Sequence, residues 1–208
     1  MTSFSRRHLP HIYIPNSCYF ITFRLADSLP VSAIQKYREI YGSASRKIIT
    51  QNPDDDKRRK LLITLNDRYF MKIDRILDQC RSGNRYLQNP EIAKIVASAL
   101  RYFDKNEYRL ICYTIMPNHV HTLFTLEKHS RPVSKIMQSL KGFTAHEANL
   151  ILKQKGVFWQ NESYDHIIRD ERDLKNKIKY VINNPVKAGL VELAEDWTWT
   201  YLSEIPIT

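Results

Sequence analysis

The run YRLICYTIMPNHVHTLFTL, Tyr108 to Leu126, constrains the fold of this chain more than any other segment. Its aromatic and β-branched residues read as two strands, Tyr108 to Met116 and His119 to Leu126, with Pro117-Asn118 as the tight turn between them. Alternation along the second strand puts His119, His121, Leu123 and Thr125 on one face and Val120, Phe124 and Leu126 on the other. Two imidazoles therefore point together from an otherwise apolar strand.

A further strand is expected at CYFITFRL, Cys18 to Leu25, preceded by the basic arm SRRHLPHIYIP. Between Val31 and Phe103 the periodicity is helical, interrupted by GSAS, by QNPDDDKRRK and by RSGNRYLQNP. Asn89-Pro90-Glu91 supplies an N-cap, a first-turn proline and a first-turn acid for the helix that ends near Phe103. Ser134 to Leu152 reads as another helix, broken by Gly156 before a strand-like stretch from Val157 to Ile168. Asp170 can cap a last helix with Glu171 and Asp173 in its first turn, and Asn184-Pro185 and Gly189 are expected to end it.

The order strand, helical segment, strand, strand, helix, strand, helix is the split-βαβ, ferredoxin-like pattern. It predicts an α+β fold in which an antiparallel sheet carries its helices on one face. The chain has 208 residues and 43% apolar content, enough for one sizeable core, and neither an internal repeat nor a long low-complexity linker divides it. Residues 1–208 are read as one domain with a helical insertion at approximately 41–81.

A formal charge of +10, spread along the chain rather than held in a tail, favours phosphate-rich partners over acidic small molecules. Cys18, Cys80 and Cys112 are too few and too widely spaced for a disulfide framework or a zinc knuckle, and read as small core residues. No apolar run has the length of a signal peptide core or a membrane span. A cytoplasmic, nucleoid-associated location with no membrane partner is expected.

On the last helix Leu174, Ile178 and Val181 form the core stripe. At about 100° per residue, Tyr180 falls roughly 120° and Asn184 roughly 80° from Leu174, on the same side, so the pair flanks the stripe. Two histidines on one strand face can hold a divalent metal, or can simply hydrogen-bond within a sheet; taken alone, the second reading is the commoner. A tyrosine at a stripe edge is likewise often only packed there. If the two sites meet in space, a metal beside a phenol suits strand cleavage of DNA through a phosphotyrosine.

Taken together, RRHLPHIYIPNSCYFITFRLADSLP, YRLICYTIMPNHVHTLF, SLKGFTAHEAN, VFWQNESYDHIIRDERDL and YVINNPVKAGLVELAEDWTWTY resemble the HUH-type single-tyrosine, IS200-like transposases, and more closely their REP-associated branch. The resemblance covers most of the chain outside roughly Tyr41 to Arg81, a segment for which it implies no role. It implies the HUH endonuclease architecture, His119 and His121 as ligands of Mg²⁺ or Mn²⁺, and Tyr180 as the nucleophile. Asn184 stands where relatives carry a glutamine or asparagine ligand. The implied partner is single-stranded, hairpin-forming DNA such as repetitive extragenic palindromes, bound by a monomer, with a homodimer as the other arrangement.

DNA contacts are expected from Arg6, Arg7, Lys135, Lys141, Arg169 and Lys187, which can neutralise phosphates, and from Trp159, which can stack on bases. No general base stands beside Tyr180 in sequence; His146, His166 or water are the candidates. Tyr164 is a rival nucleophile whose other role is packing beside Trp159.

Rival functions are a catalytically silent hairpin-DNA-binding regulator and a metal-dependent hydrolase acting through water. HEANL lacks the second histidine of a zinc protease, Leu150 standing in its place, and the paired cysteines of a zinc deaminase are missing.

Overall fold

The structure, a computed structural model, describes residues 3–6, 10–79 and 83–204, with the backbone alone at 3–6 and 10–13. Cys80 and Arg7 lie outside the described residues. The arm holds a two-stranded ribbon, β1 (Ser3–Arg6) against β2 (Pro10–Tyr13). Next come β3 (Cys18–Arg24), the long helices α1 (Val31–Gln51) and α2 (Asp55–Asp78), and α3 (Pro90–Tyr102). Then follow β4 (Tyr108–Ile115), β5 (His119–Leu126), α4 (Val133–Ile151), β6 (Tyr164–Ile167), α5 (Glu171–Lys187) and β7 (Thr200–Leu202).

Five strands form one antiparallel sheet in the order β6-β3-β5-β4-β7. β5 takes the centre because it is apolar on both faces, its two histidines apart, and so can be covered from both sides. On β4 the register slips between Leu110 and Cys112, so that Ile111 is the extra residue of a bulge. Ile111 and Cys112 then face the same side, while Tyr108, Leu110, Tyr113 and Ile115 all face the other.

Helices lie on both faces, not on the single face expected from the element order. Ile92 and Val96 of α3 and Ile136 and Leu140 of α4 pack with Tyr19, Ile21, Phe23, Val120 and Phe124 in the larger core. On the second face Phe70 of α2 and Val181 of α5 join Phe20, Cys112, Leu123 and Tyr164. The reason is that β3 and β5 alternate two apolar sets, and α2 and α5 provide the helical layer that the second set needs, with α1 packed on α2.

GSAS does not interrupt α1. One glycine in a helix costs about 1 kcal/mol, and rings of Tyr37 and Tyr41 pack on Tyr69 of α2 at 6.3 and 5.2 Å to hold the helix together. The break falls at Asn52 to Asp54, where the Asp54 side chain accepts from Lys57 N at 2.9 Å. Asn89 caps α3 by accepting from Glu91 N at 2.9 Å, and Asp170 caps α5 by accepting from Asp173 N at 2.8 Å. α5 runs through Pro185 to Lys187, since a proline in the last turn forfeits one bond only, and Gly189 closes the end at φ 69°. Between α4 and α5 only Tyr164–Ile167 is a strand, with an isolated bridge from Leu25 to Trp159.

Phe124 is fully buried and stacks on Tyr108 at 4.2 Å. Phe124→Ala should lower unfolding free energy by about 3–5 kcal/mol in urea denaturation; a loss under about 1 kcal/mol would contradict the placement of β5 in a close-packed core.

Candidate metal and nucleophile site

His119 and His121 sit on the α2 and α5 side of β5, both wholly buried. Their second-nitrogen partners fix them. Asn118 Nδ2 donates to the Leu77 carbonyl of α2 at 3.2 Å, which turns Asn118 Oδ1 to within 2.7 Å of His119 Nδ1. An amide oxygen only accepts, so Nδ1 carries the proton and Nε2 keeps a free lone pair. Thr22, opposite His121 in the register, places Oγ1 at 2.7 Å from His121 Nδ1 and can do the same there. The two Nε2 atoms meet at 3.0 Å.

Helix α2 brings two carboxylates to this point. Its buried stripe is Asn66, Phe70, Asp74, Leu77 and Asp78, so acids occupy positions that helical periodicity would give to apolar residues. Asp74 Oδ1 lies 3.3 Å from His121 Nε2 and Asp78 Oδ1 3.8 Å from His119 Nε2. One donor atom from each of Asp74, Asp78, His119 and His121 falls within 4.8 Å of the others. Asp74 Oδ1, Asp78 Oδ1 and both amide atoms of Asn184 are buried without a hydrogen bond of normal geometry.

Tyr180 and Asn184 reach the same place from α5, the tyrosine at Asp74 and the Asn184 amide at Asp78. The Tyr180 hydroxyl donates to Asp74 Oδ2, and its ring stands edge-on to His121 with centroids 5.5 Å apart. Lys187 Nζ donates to Asp78 Oδ2 at 2.6 Å and to Asp74 Oδ2 at 3.5 Å. Lys177 Nζ lies over the rings of Phe20 and Tyr180 at 4.9 and 5.9 Å. Tyr180 is half-buried and Lys187 exposed, so the cluster opens at its α5 edge.

Burial sets the electrostatics. It pushes His119 down to about 3, with the adjacent His121 adding to the effect, and pushes His121 down to about 3, with Lys187 and Lys177 adding. Both rings are therefore neutral, the form that binds metal. Burial and then the charge of Asp74 raise Asp78 to about 6 against the pull of Lys187. Burial, followed by Asp74, also raises the Tyr180 phenol above its ordinary range. Neutral imidazoles facing unpartnered carboxylate oxygens make a donor set that fits a divalent cation.

The sequence profile of the family described as "Transposase IS200 like" matches residues 80–184. This chain belongs to that family. A protein of Haemophilus influenzae named for the REP-associated tyrosine transposases is 30% identical over 102 residues, covering 45% of this chain and 58% of that protein. The REP-associated tyrosine transposase of Escherichia coli K12 is 27% identical over 93 residues, covering 45% and 53%. The IS200-like chain thus spans a little over half the length of these relatives. Its fold resembles a solved REP-associated tyrosine transposase bound to a REP hairpin, with TM-score 0.56 and 16% identity over 96% of this chain and 82% of that one.

The other residues singled out in this family member scatter. Trp159 is 4% exposed, packed on Phe23 at 4.8 Å, and its Nε1 donates to Thr144 Oγ1 at 2.9 Å. A ring this deeply buried cannot stack on a base, so its expected role is corrected to packing. Lys141 Nζ donates to the carbonyls of Gln160 and Asn161 at 2.6 and 2.9 Å, tying down the loop before β6. Lys135 is exposed on α4, on the far face of the sheet from Tyr180. Arg169 is exposed near the start of α5 and bonded to Asp67 at 3.3 Å. Arg6 ends β1, and its side chain is not described.

Tyr164 donates to Asp67 Oδ1 at 2.8 Å and stacks on Phe70 at 3.8 Å, not on Trp159. His146 is largely exposed on α4, and His166 is held between Asp67 and Asp173 at 3.3 and 2.8 Å. Neither is bonded to Tyr180. Asp74 is, and sequence reasoning missed it together with Asp78 and Lys177. The available signal was the pair of acids at i, i+4 within the apolar stripe of α2.

No helix among the described residues is long and apolar enough to cross a membrane.

Proposed function

We propose that the protein is a metal-dependent single-stranded DNA endonuclease and strand transferase that forms a 5′-phosphotyrosine intermediate on hairpin, REP-like DNA. The observation that carries this reading is the Tyr180 hydroxyl bonded to a carboxylate that itself lies 3.3 Å from the imidazole of His121. His119 and His121, with Asn184 beside them, would hold Mg²⁺ or Mn²⁺. A divalent cation there supplies Lewis-acid stabilisation of the charge that builds on the scissile phosphate.

Tyr180 is the nucleophile. Asp74 holds its hydroxyl by a hydrogen bond and is the acceptor placed to take the phenolic proton as attack begins. The Tyr180 oxygen–phosphorus bond forms, the bond from phosphorus to the 3′-oxygen breaks, and the departing oxygen takes up a proton from solvent as a 3′-hydroxyl. Attack by another 3′-hydroxyl reverses the step and joins strands without ATP. Lys187 and Lys177, on the open edge of the cluster, steer the phosphate in.

Hairpin DNA is the proposed partner, bound by a monomer in the cytoplasm. The basic excess, with Arg6, Arg7 and Arg169 among its sources, supplies phosphate contacts. The test is incubation with labelled hairpin and linear duplex oligonucleotides and Mn²⁺, resolved under denaturing conditions. A metal-dependent, slow-migrating protein–DNA adduct on the hairpin is expected, with hairpin binding that weakens steeply as salt rises. Binding without any cleavage would instead identify a silent hairpin-binding regulator, and cleavage without adduct a hydrolase using water.

A further inference from the structure

We infer that α2 supplies two carboxylate ligands, Asp74 and Asp78, to the ion gripped by His119 and His121, in addition to the Asn184 amide beside them. This rests on the proposed reading that the histidine pair holds a metal. It goes further in assigning two of the ligands to a helix that precedes the family match, which begins at residue 80.

Three observations support it. Ligands 2.0–2.2 Å from one ion sit roughly 3–4 Å from each other, and here the Nε2–Nε2, Nε2–Asp74 and Nε2–Asp78 separations are 3.0, 3.3 and 3.8 Å. Asp74 is 0% and Asp78 7% exposed; Asp74 turns an Oδ1 inward that finds no hydrogen bond, and on its inner side the Asp78 carboxylate has only the buried amide of Asn184. Their other oxygens are occupied from outside, Asp74 Oδ2 by Tyr180 and Lys187 and Asp78 Oδ2 by Lys187, so the bare oxygens are those that face the histidines.

Two buried carboxylates served by one half-exposed ammonium leave a negative charge that a divalent cation would balance. With Nδ1 protonated on both rings, the two Nε2 lone pairs face each other at 3.0 Å, and a cation between them removes that repulsion. The same ion relieves both conditions. Oxygen donors also draw the site toward Mg²⁺ and Mn²⁺, which a pair of imidazoles alone does not favour. Asp74 then bridges, one oxygen on the ion and the other on the Tyr180 hydroxyl, and fixes the nucleophile relative to the metal.

The test is Mn²⁺ titration by calorimetry on the full chain, comparing wild type with Asp74→Asn, Asp78→Asn, the double Asn variant and His119→Ala/His121→Ala. Each single Asn variant should weaken Mn²⁺ affinity at least ~10-fold and the double variant at least ~100-fold, with metal-free circular dichroism unchanged. Should the double Asn variant bind Mn²⁺ like wild type while the histidine variant does not, the carboxylate assignment fails and the histidine site stands. Unchanged binding in both would overturn the two together.

Asp78→Cys gives a signal that does not depend on loss of binding. Loaded with Co²⁺, it should show a thiolate-to-cobalt charge-transfer band absent from wild type, since a soft sulfur ligand on the ion creates that transition. Co²⁺ bound at the histidines without the band would contradict contact between residue 78 and the ion.

Discussion

Tyr180→Phe should abolish the covalent protein–DNA adduct altogether, leaving hairpin binding and Mn²⁺ affinity within about twofold of wild type. The phenyl ring keeps the edge-on packing against His121 and Phe20; only the oxygen that bonds to phosphorus is lost. Tyr164, the other tyrosine of this core cluster, is not placed to substitute, because its hydroxyl is bonded to Asp67 rather than to Asp74 beside the histidines and its ring lies flat on Phe70. Tyr164→Phe should accordingly retain the adduct. An undiminished adduct from Tyr180→Phe on a denaturing gel would remove the nucleophile from this account.

The second large effect is expected from the histidines. His121→Ala removes an imidazole that is wholly buried, paired to Thr22 and flanked by Asp74. A cation's stabilisation of transition-state charge is worth several kcal/mol, so cleavage should fall by about 10³-fold or more at fixed Mn²⁺. Hairpin binding should persist, since phosphate contacts by surface lysines and arginines do not use the site. A residual rate within tenfold of wild type would show that the reaction does not need the ion at this position. Raising Mn²⁺ should recover part of the rate in His121→Ala if the remaining donors still hold the ion loosely.

Local sequence signals carried much of the fold. The alternation in β5 gave the shared face of His119 and His121, and Asn89 and Asp170 announced the starts of α3 and α5 through their capping chemistry. The stripe of Leu174, Ile178 and Val181 put Tyr180 at the margin of the second core cluster, where its hydroxyl meets Asp74. What local pattern did not carry was anything created by docking. Trp159 reads from the sequence as an available aromatic, and it is packing on Phe23 and Phe158, with the bridge to Leu25 and the Thr144 hydrogen bond, that buries it.

Asp74 and Asp78 are the plainest case. In the sequence they are two acids in a highly charged helix, set apart from the solvated acids at its start only by falling on the stripe of Phe70 and Leu77. Their meaning appears when α2 lies against β5, a contact across 41 residues between Leu77 and Asn118 that no helical or strand period encodes. The one-face expectation for the helices failed for the same reason. The element order describes α3 and α4 on one side well, but it does not say that α2 folds back over the other face to join α5 there.

The central claim is that the phenol of α5 stands beside an ion gripped by the imidazoles of β5. Its most direct test is anomalous X-ray diffraction from crystals of the protein grown with Mn²⁺. A single strong anomalous peak is expected about 2.1–2.3 Å from His119 Nε2 and His121 Nε2, on the side facing Tyr180. A peak elsewhere, or none at the histidines with Mn²⁺ in millimolar excess, would contradict it.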